Sequence, residues 1–233
     1  MLSSLREQTV PQLIRVDIAH FANNGRPATE EVIRTFAPHL FITGSEWGDY
    51  RAFQQRGLVR NRALKECTTE WMLFSDCDMV YHPEYFERLF DFLSRGNSQA
   101  TCMFSSGRMS NPKPLADQLV NSAVTEAPAM VPSAFEQANR LPKIRKRNVG
   151  AGFSQIINVL NSPHEGYYVD PKENADWRWD SRYQKAQSDV QFRQRIGQKG
   201  GPRRALPDWF TENLIHLNHN RDNEFGVHLE EQR

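Results

Sequence analysis

The stretch Trp71-Met72-Leu73-Phe74-Ser75-Asp76-Cys77-Asp78 decides how this chain is read. Its first half is apolar, with no Gly or Pro, and predicts a buried strand. Its second half sets two carboxylates one residue apart, where a strand this apolar would normally meet a turn residue. Side chains two apart on an extended backbone lie on the same side, so Asp76 and Asp78 can share one hard cation if the strand continues through them. Cys77 is then expected to point away from the acids and into packing. Hard divalent ions such as Mg²⁺ and Mn²⁺ take oxygen ligands and commonly bridge protein carboxylates to substrate phosphates. The pattern therefore suggests an enzyme handling a nucleotide diphosphate at the C-terminal edge of a sheet, where open α/β folds bind ligands. Taken without context, an Asp-x-Asp is more often a solvated strand end.

Working outward, strands and helices alternate. Leu13 to Ala19 reads as a strand, followed by the turn Asn23-Asn24-Gly25. Thr29 can cap a helix over Glu30 to Phe36, closed by Pro38. Leu40-Phe41-Ile42-Thr43 is a second short strand, and Leu58 to Cys67 a helix. Beyond the acids, Pro83 suits the first position of a helix, with Glu84 in its opening turn. Phe86, Leu89, Phe90 and Leu93 follow helical spacing, and Gly96 closes the element. Ala100 to Ser105 reads as another strand. This alternation argues for a parallel α/β sheet. From Asn111 to Pro142 the chain carries Pro112, Pro114, Pro128, Pro132 and Pro142, and is expected to leave the sheet without forming a separate domain. Phe153 to Val159 then predicts a strand, Ser188 to Ile196 a helix, and Leu214 to Leu217 a late strand.

Composition narrows the function classes. A chain of 233 residues fits one large domain with a sizeable core. The net charge of +1 makes no electrostatic case for nucleic acid or a membrane surface. No run approaches the roughly 18 apolar residues of a membrane span, and Met1-Leu2-Ser3-Ser4 opens no signal peptide. Cys67, Cys77 and Cys102 have an odd count and no metal-ligand spacing. Reduced thiols in a cytoplasmic protein are the expectation.

Arg60-Asn61-Arg62 stands some ten residues upstream of the apolar strand, at a helix start. Arg offers a planar fork of donors suited to phosphates; alone, a solvated first turn is the plainer reading. The order Arg-Asn-x-Ala-Leu, spacer, apolar strand, Asp-x-Asp resembles the nucleotide-sugar glycosyltransferases of the GT-A fold, particularly glycosyltransferase family 2. That resemblance implies a Rossmann-like α/β fold, a mixed, mainly parallel sheet flanked by helices. It implies one domain over residues 1–233, with residues 1–110 the nucleotide-sugar-binding half and 111–233 the acceptor-binding and catalytic half. Arg60, Asn61, Asp76, Cys77 and Asp78 would contact the donor. Leu2 to Pro11 looks like the family's first helix, and Asn23-Asn24-Gly25 like the turn after its second strand.

Later segments extend the likeness. Val149-Gly150-Ala151-Gly152-Phe153 resembles the small-residue segment beside the acceptor, where Gly152 lets a substrate approach the backbone; an ordinary turn fits equally. Ser188-Asp189-Val190-Gln191-Phe192 is similar to the helix start that supplies the catalytic base, which makes Asp189 the group that deprotonates the acceptor hydroxyl. The family often has Glu where Ser188 stands, and Ser-Asp is also an ordinary helix cap. Ile215-His216-Leu217-Asn218-His219-Asn220-Arg221-Asp222 resembles the metal-binding segment of the vertebrate β-galactosyltransferases. By that match His219 and Asp78 are metal ligands, with Asp76 nearer the ribose or a metal-bound water. His216 is expected to pack or to face the sheet. Trp177-Arg178-Trp179-Asp180 resembles the same enzymes' sugar site, where aromatic faces lie on sugar rings and an acid accepts hydroxyl hydrogen bonds; either Trp fits a core equally well. The basic clusters Lys143 to Arg147 and Lys199 to Arg204 are by default solvated, and could approach a diphosphate or an anionic acceptor.

One departure stands out. Family members open with an apolar strand, central in the sheet, whose end often reads Pro-x-Tyr-Asn and holds the nucleobase and ribose. This sequence begins after that point. Asp17 lies near where the family carries a uracil-contacting acid. The expected activity is metal-dependent (Mn²⁺ or Mg²⁺), inverting transfer of a hexose from a UDP-sugar to a hydroxyl acceptor. The alternatives are a retaining transferase on the same fold, with Asp189 only a cap, and a non-catalytic sugar- or nucleotide-binding remnant.

Overall fold

A computed structural model describes residues 1–21, 28–48, 53, 56–95, 102–112, 133–147, 154–160, 192 and 203–218. The strands are β1 (Arg15–Phe21), β2 (Phe41–Trp47), β3 (Trp71–Ser75), β4 (Met79–Tyr81), β5 (Cys102–Phe104), β6 (Gly107–Ser110), β7 (Ile144–Arg147), β8 (Ser154–Asn158), β9 (Arg203–Ala205) and β10 (Leu214–His216). Helices cover Leu2–Arg6, Ala28–Phe36, Arg56–Glu66, Tyr85–Ser94, Ala134–Arg140 and Asp208–Glu212. The expected alternation of strand and helix around the acids is present. No described helix is long and apolar enough to cross a membrane.

The strands form a parallel pair, β1 with β2, and two four-stranded sheets ordered β4-β10-β6-β7 and β3-β8-β5-β9. Within these, β10 runs parallel to β6 and β5 parallel to β9. The β3–β8, β5–β8, β4–β10 and β6–β7 pairs are antiparallel, so the sheet is mixed. Among the described residues, β1 and β2 are hydrogen-bonded to neither larger sheet. Packing bridges that break: Ile14 and Val16 from the β1 side share one apolar cluster with Met79, Tyr81, Met103, Ile156 and Leu214.

The apolar patterning explains which faces are covered. On the Tyr85–Ser94 helix, Tyr85, Phe86, Leu89 and Leu93 are buried, one stripe at the spacing of successive turns. Each such side chain contributes about 1.5–3 kcal/mol of burial. The Ala28–Phe36 helix packs close over β2 at Gly44, where a Cβ would stand 2.7 Å from Ile33 Cδ1, the movable end of that side chain.

Three elements differ from expectation. The first helix is only Leu2–Arg6, and Glu7 and Gln8 beyond it form a clasp. The buried Gln8 amide donates to Ser4 C=O (2.8 Å) and His82 C=O (2.9 Å), and its Oε1 accepts the Phe86 N–H (3.2 Å). Glu7 Oε2 accepts the Ala134 N–H at 2.8 Å, satisfying a free donor at the start of the Ala134–Arg140 helix. The second difference is that the strand expected over Ala100 to Ser105, present as β5, ends at Phe104: the buried Ser105 hydroxyl donates to Gly107 C=O (2.5 Å), and the chain turns from β5 into β6. Finally, β3 stops at Ser75. The acids lie in a turn between β3 and β4 and do not share one face of a continuing strand.

Candidate active site

The Asp76-Cys77-Asp78 turn is held on its far side by β10. The antiparallel register sets Leu214 against Tyr81 and His216 against Met79, and the Leu217 N–H extends the ladder to Asp78 C=O at 2.9 Å. That register places the His216 ring at Asp78, with Nε2 3.0 Å from Oδ2. Both side chains are buried, 4% and 9% exposed. The other ring nitrogen, Nδ1, lies 3.5 Å from Ser110 Oγ on β6, whose register pairs Ser110 with His216. The imidazole that meets Asp78 is thus His216, for which the sequence suggested packing. His219 lies outside the described residues.

On the near side the turn is held by β4. The Tyr81 hydroxyl reaches back to donate to Ser75 Oγ at 2.5 Å, and Ser75 Oγ donates to Asp76 C=O at 3.0 Å. Burial pushes the Tyr81 phenol far above its ordinary value, so it remains a proton donor. Asp76 is half-buried. Cys77 is exposed, against the expectation of packing. Strand alternation, which would have turned its thiol inward, does not apply in a turn. Partial desolvation of the sulfur within the turn raises the Cys77 thiol, and the carboxylates of Asp78 and Asp76 raise it further.

Behind β3 runs the Arg56–Glu66 helix. Arg60 is buried, with its guanidinium 5.5 Å from the Phe74 ring centroid, two residues before Asp76. Arg62 lies over the Trp47 ring at the end of β2 (5.2 Å) and pairs with Glu66 at 3.0 Å. Asn61, between them, is half-buried. Asp17 is placed differently. It lies early in β1, and its carboxylate accepts the Ser45 hydroxyl at 2.9 Å, with Thr43 Oγ1 at 3.3 Å.

Of the basic clusters, Arg145 is tied down by Asp208 (2.8 Å) and Glu212 (3.5 Å). Gly152, Trp177, Trp179, Asp180, Asp189 and residues 199–202 lie outside the described residues. Phe192, within the expected Ser188 to Ile196 helix, is helical and buried in a cluster with Cys102 and Ile157.

Among the described residues, no group of three or more His, Cys, Asp or Glu side chains gathers as a metal site. Asp78 and His216 nevertheless fit one as a pair. Their 3.0 Å Nε2–Oδ2 contact is a hydrogen bond in this structure, and the fit rests on the donor chemistry of a carboxylate beside an imidazole. A carboxylate and an imidazole suit a borderline divalent ion such as Mn²⁺; Mg²⁺ leans further toward oxygen alone.

An α/β chain of mixed sheets with an acidic turn at a strand end, a histidine against one acid and an arginine behind the strand has the features of the GT-A class. The family model described as glycosyl transferase family 2 matches residues 1–147, and the chain belongs to that family. No curated protein matches it. Solved structures similar to it include Staphylococcus aureus TarS 1–349 in complex with UDP, at 20% identity and a TM-score of 0.39 over 48% of this chain and 30% of that one. Another is S. aureus TarS 1–349, at 17% identity and a TM-score of 0.40, covering 59% and 48% respectively. A longer S. aureus TarS structure matches at 20% identity and 0.39, covering 46% and 18%. The matched part of this chain spans less than half the length of each.

Proposed function

We propose that this chain is a metal-dependent, inverting glycosyltransferase that moves a sugar, a hexose, from a UDP-sugar to a hydroxyl acceptor. The observation that carries the reading is the buried Asp78–His216 pair, 3.0 Å apart at the end of the apolar strand. Asp78 and His216 hold the cation, with His219, the ligand implied by the resemblance, as a further one. A bound divalent ion neutralises charge on the departing diphosphate, an electrostatic contribution to the transition state. Asp76, two residues earlier in the turn, serves the ribose or an ion-bound water. Arg60, Asn61 and Cys77 line the donor side, and Arg60's place behind β3 supports this. Asp189 takes the proton of the attacking hydroxyl; Phe192, three residues on, is buried against Cys102 and Ile157. Gly152, Trp177, Trp179 and Asp180 belong to the acceptor side. A cytoplasmic location goes with the three free thiols.

Calorimetry of UDP binding with and without Mn²⁺ tests the reading. Wild type is expected to bind UDP only with the metal, and His216→Ala to lose about tenfold or more of that affinity. Metal-dependent binding unchanged in His216→Ala overturns the ligand role. No binding by wild type overturns the donor assignment itself.

A further inference from the structure

We infer that Tyr81, acting through Ser75, is a positioning residue that sets the conformation of the Asp76-Cys77-Asp78 turn for nucleotide and metal; the inference rests on the donor site just proposed. The hydroxyls form a directed chain. The Tyr81 O–H donates to Ser75 Oγ at 2.5 Å, and the Ser75 O–H, with its lone pair so occupied, donates to the Asp76 carbonyl at 3.0 Å. The carbonyl of Asp76 belongs to the Asp76–Cys77 peptide, so aiming it orients the plane from which Cys77 and Asp78 proceed.

Tyr81 itself has little freedom. Its ring lies 4.9 Å from that of Tyr85 and 5.2 Å from that of Phe86, centroid to centroid, and its N–H donates to Ser4 Oγ at 3.2 Å. The far end of the turn is already fixed by Leu217 N–H on Asp78 C=O and by His216. Without the Tyr81 chain, the near end and the Asp76 carboxylate are free to shift. A shift of about 1 Å in a positioned group costs up to about a hundredfold in a reaction that depends on orientation. A hydroxyl chain placed only for stability has no need to end on the carbonyl of an acid in the site.

Tyr81→Phe keeps the ring and removes the hydroxyl; Ser75→Ala removes the relay. Two readouts report on the turn. One is the rate at which iodoacetamide alkylates the exposed Cys77, mapped by peptide mass spectrometry with Cys67 as internal reference. The other is the dissociation constant for UDP with Mn²⁺. Each single variant is expected to change the Cys77 rate relative to Cys67 severalfold and to weaken UDP–Mn²⁺ binding by about tenfold. The double variant should be no worse than the weaker single, because both act through one chain. Wild-type Cys77 rates in the variants overturn the inference, whatever happens to their melting temperatures. A changed rate with unchanged UDP–Mn²⁺ affinity overturns it too, since the turn then moves without consequence. If wild type itself binds no UDP, the donor assignment falls and the Cys77 rate alone decides whether Tyr81 sets the turn. If Tyr81→Phe does not fold, Ser75→Ala carries the test.

Discussion

His216 and His219 stand three residues apart, and nothing in their spacing says which meets an acid. The choice depends on how β10 aligns with β4, a one-residue matter that changes which side chain faces which. The observed register puts His216 opposite Met79 and therefore beside Asp78. A neighbour's pairing, not a local signal, brings His216 to that acid. The same holds for Cys77, whose outward thiol results from the turn. Asp189 is the opposite case, assigned on motif alone. Asp189→Asn removes the base while keeping the side chain's size, so UDP–Mn²⁺ binding is expected to stay within about twofold and sugar transfer to fall by about 10²-fold or more. Transfer assayed under saturating donor checks this, and full activity in the variant overturns the base assignment.

Among elements, β3 was legible as a strand because four consecutive large apolar residues favour an extended, covered segment; its depth was not, since all five residues are half-buried and β3 stands at the edge of its sheet among the described residues. Its end was not legible. Asp76 could have continued the strand, but the chain leaves it after Ser75, whose side chain lies between the Tyr81 hydroxyl and the Asp76 carbonyl. The Tyr85–Ser94 helix was legible from its stripe, whereas the short Leu2–Arg6 helix matters mainly because it leads into Gln8. The Gln8 amide satisfies groups on two other segments, the His82 carbonyl and the Phe86 N–H. Replacing it by Leu leaves those buried groups without a partner at similar side-chain volume. Gln8→Leu is therefore expected to destabilise the fold by about 2–3 kcal/mol, read as a lower urea midpoint with an unchanged slope. A loss under about 1 kcal/mol would show that water replaces the amide.

At the scale of the molecule, His82 is where several elements meet. Its Nδ1 accepts the Glu84 N–H at 3.1 Å, and its ring packs edge-on against Phe135 and Trp209, 5.0 and 5.6 Å between centroids. Burial holds the His82 imidazole below its ordinary value, Glu84 opposing the shift and Arg88 adding to it. A neutral ring is the form that accepts the Glu84 N–H. The folded state thus binds fewer protons here than the unfolded chain, so this contribution is complete above the ordinary histidine value of about 6.5 and declines as pH falls through it. The melting temperature is expected to drop between about pH 7.5 and pH 5, and less so in His82→Asn, whose Oδ1 can accept the same N–H without titrating. Parallel curves for the two proteins would exclude His82 as the source.

Sequence by itself determined the class of fold, the apolar strand and the acids at its end, because apolar periodicity and the order of short motifs are local properties that survive without a partner. The family followed from that order. Only the tertiary structure decided that His216 faces Asp78, that the acids occupy a turn, and that Tyr81 and Ser75 brace it. Those outcomes rest on strand register and on contacts between residues up to 138 positions apart, and a register is settled by the summed fit of two whole elements, which no single stretch of sequence contains.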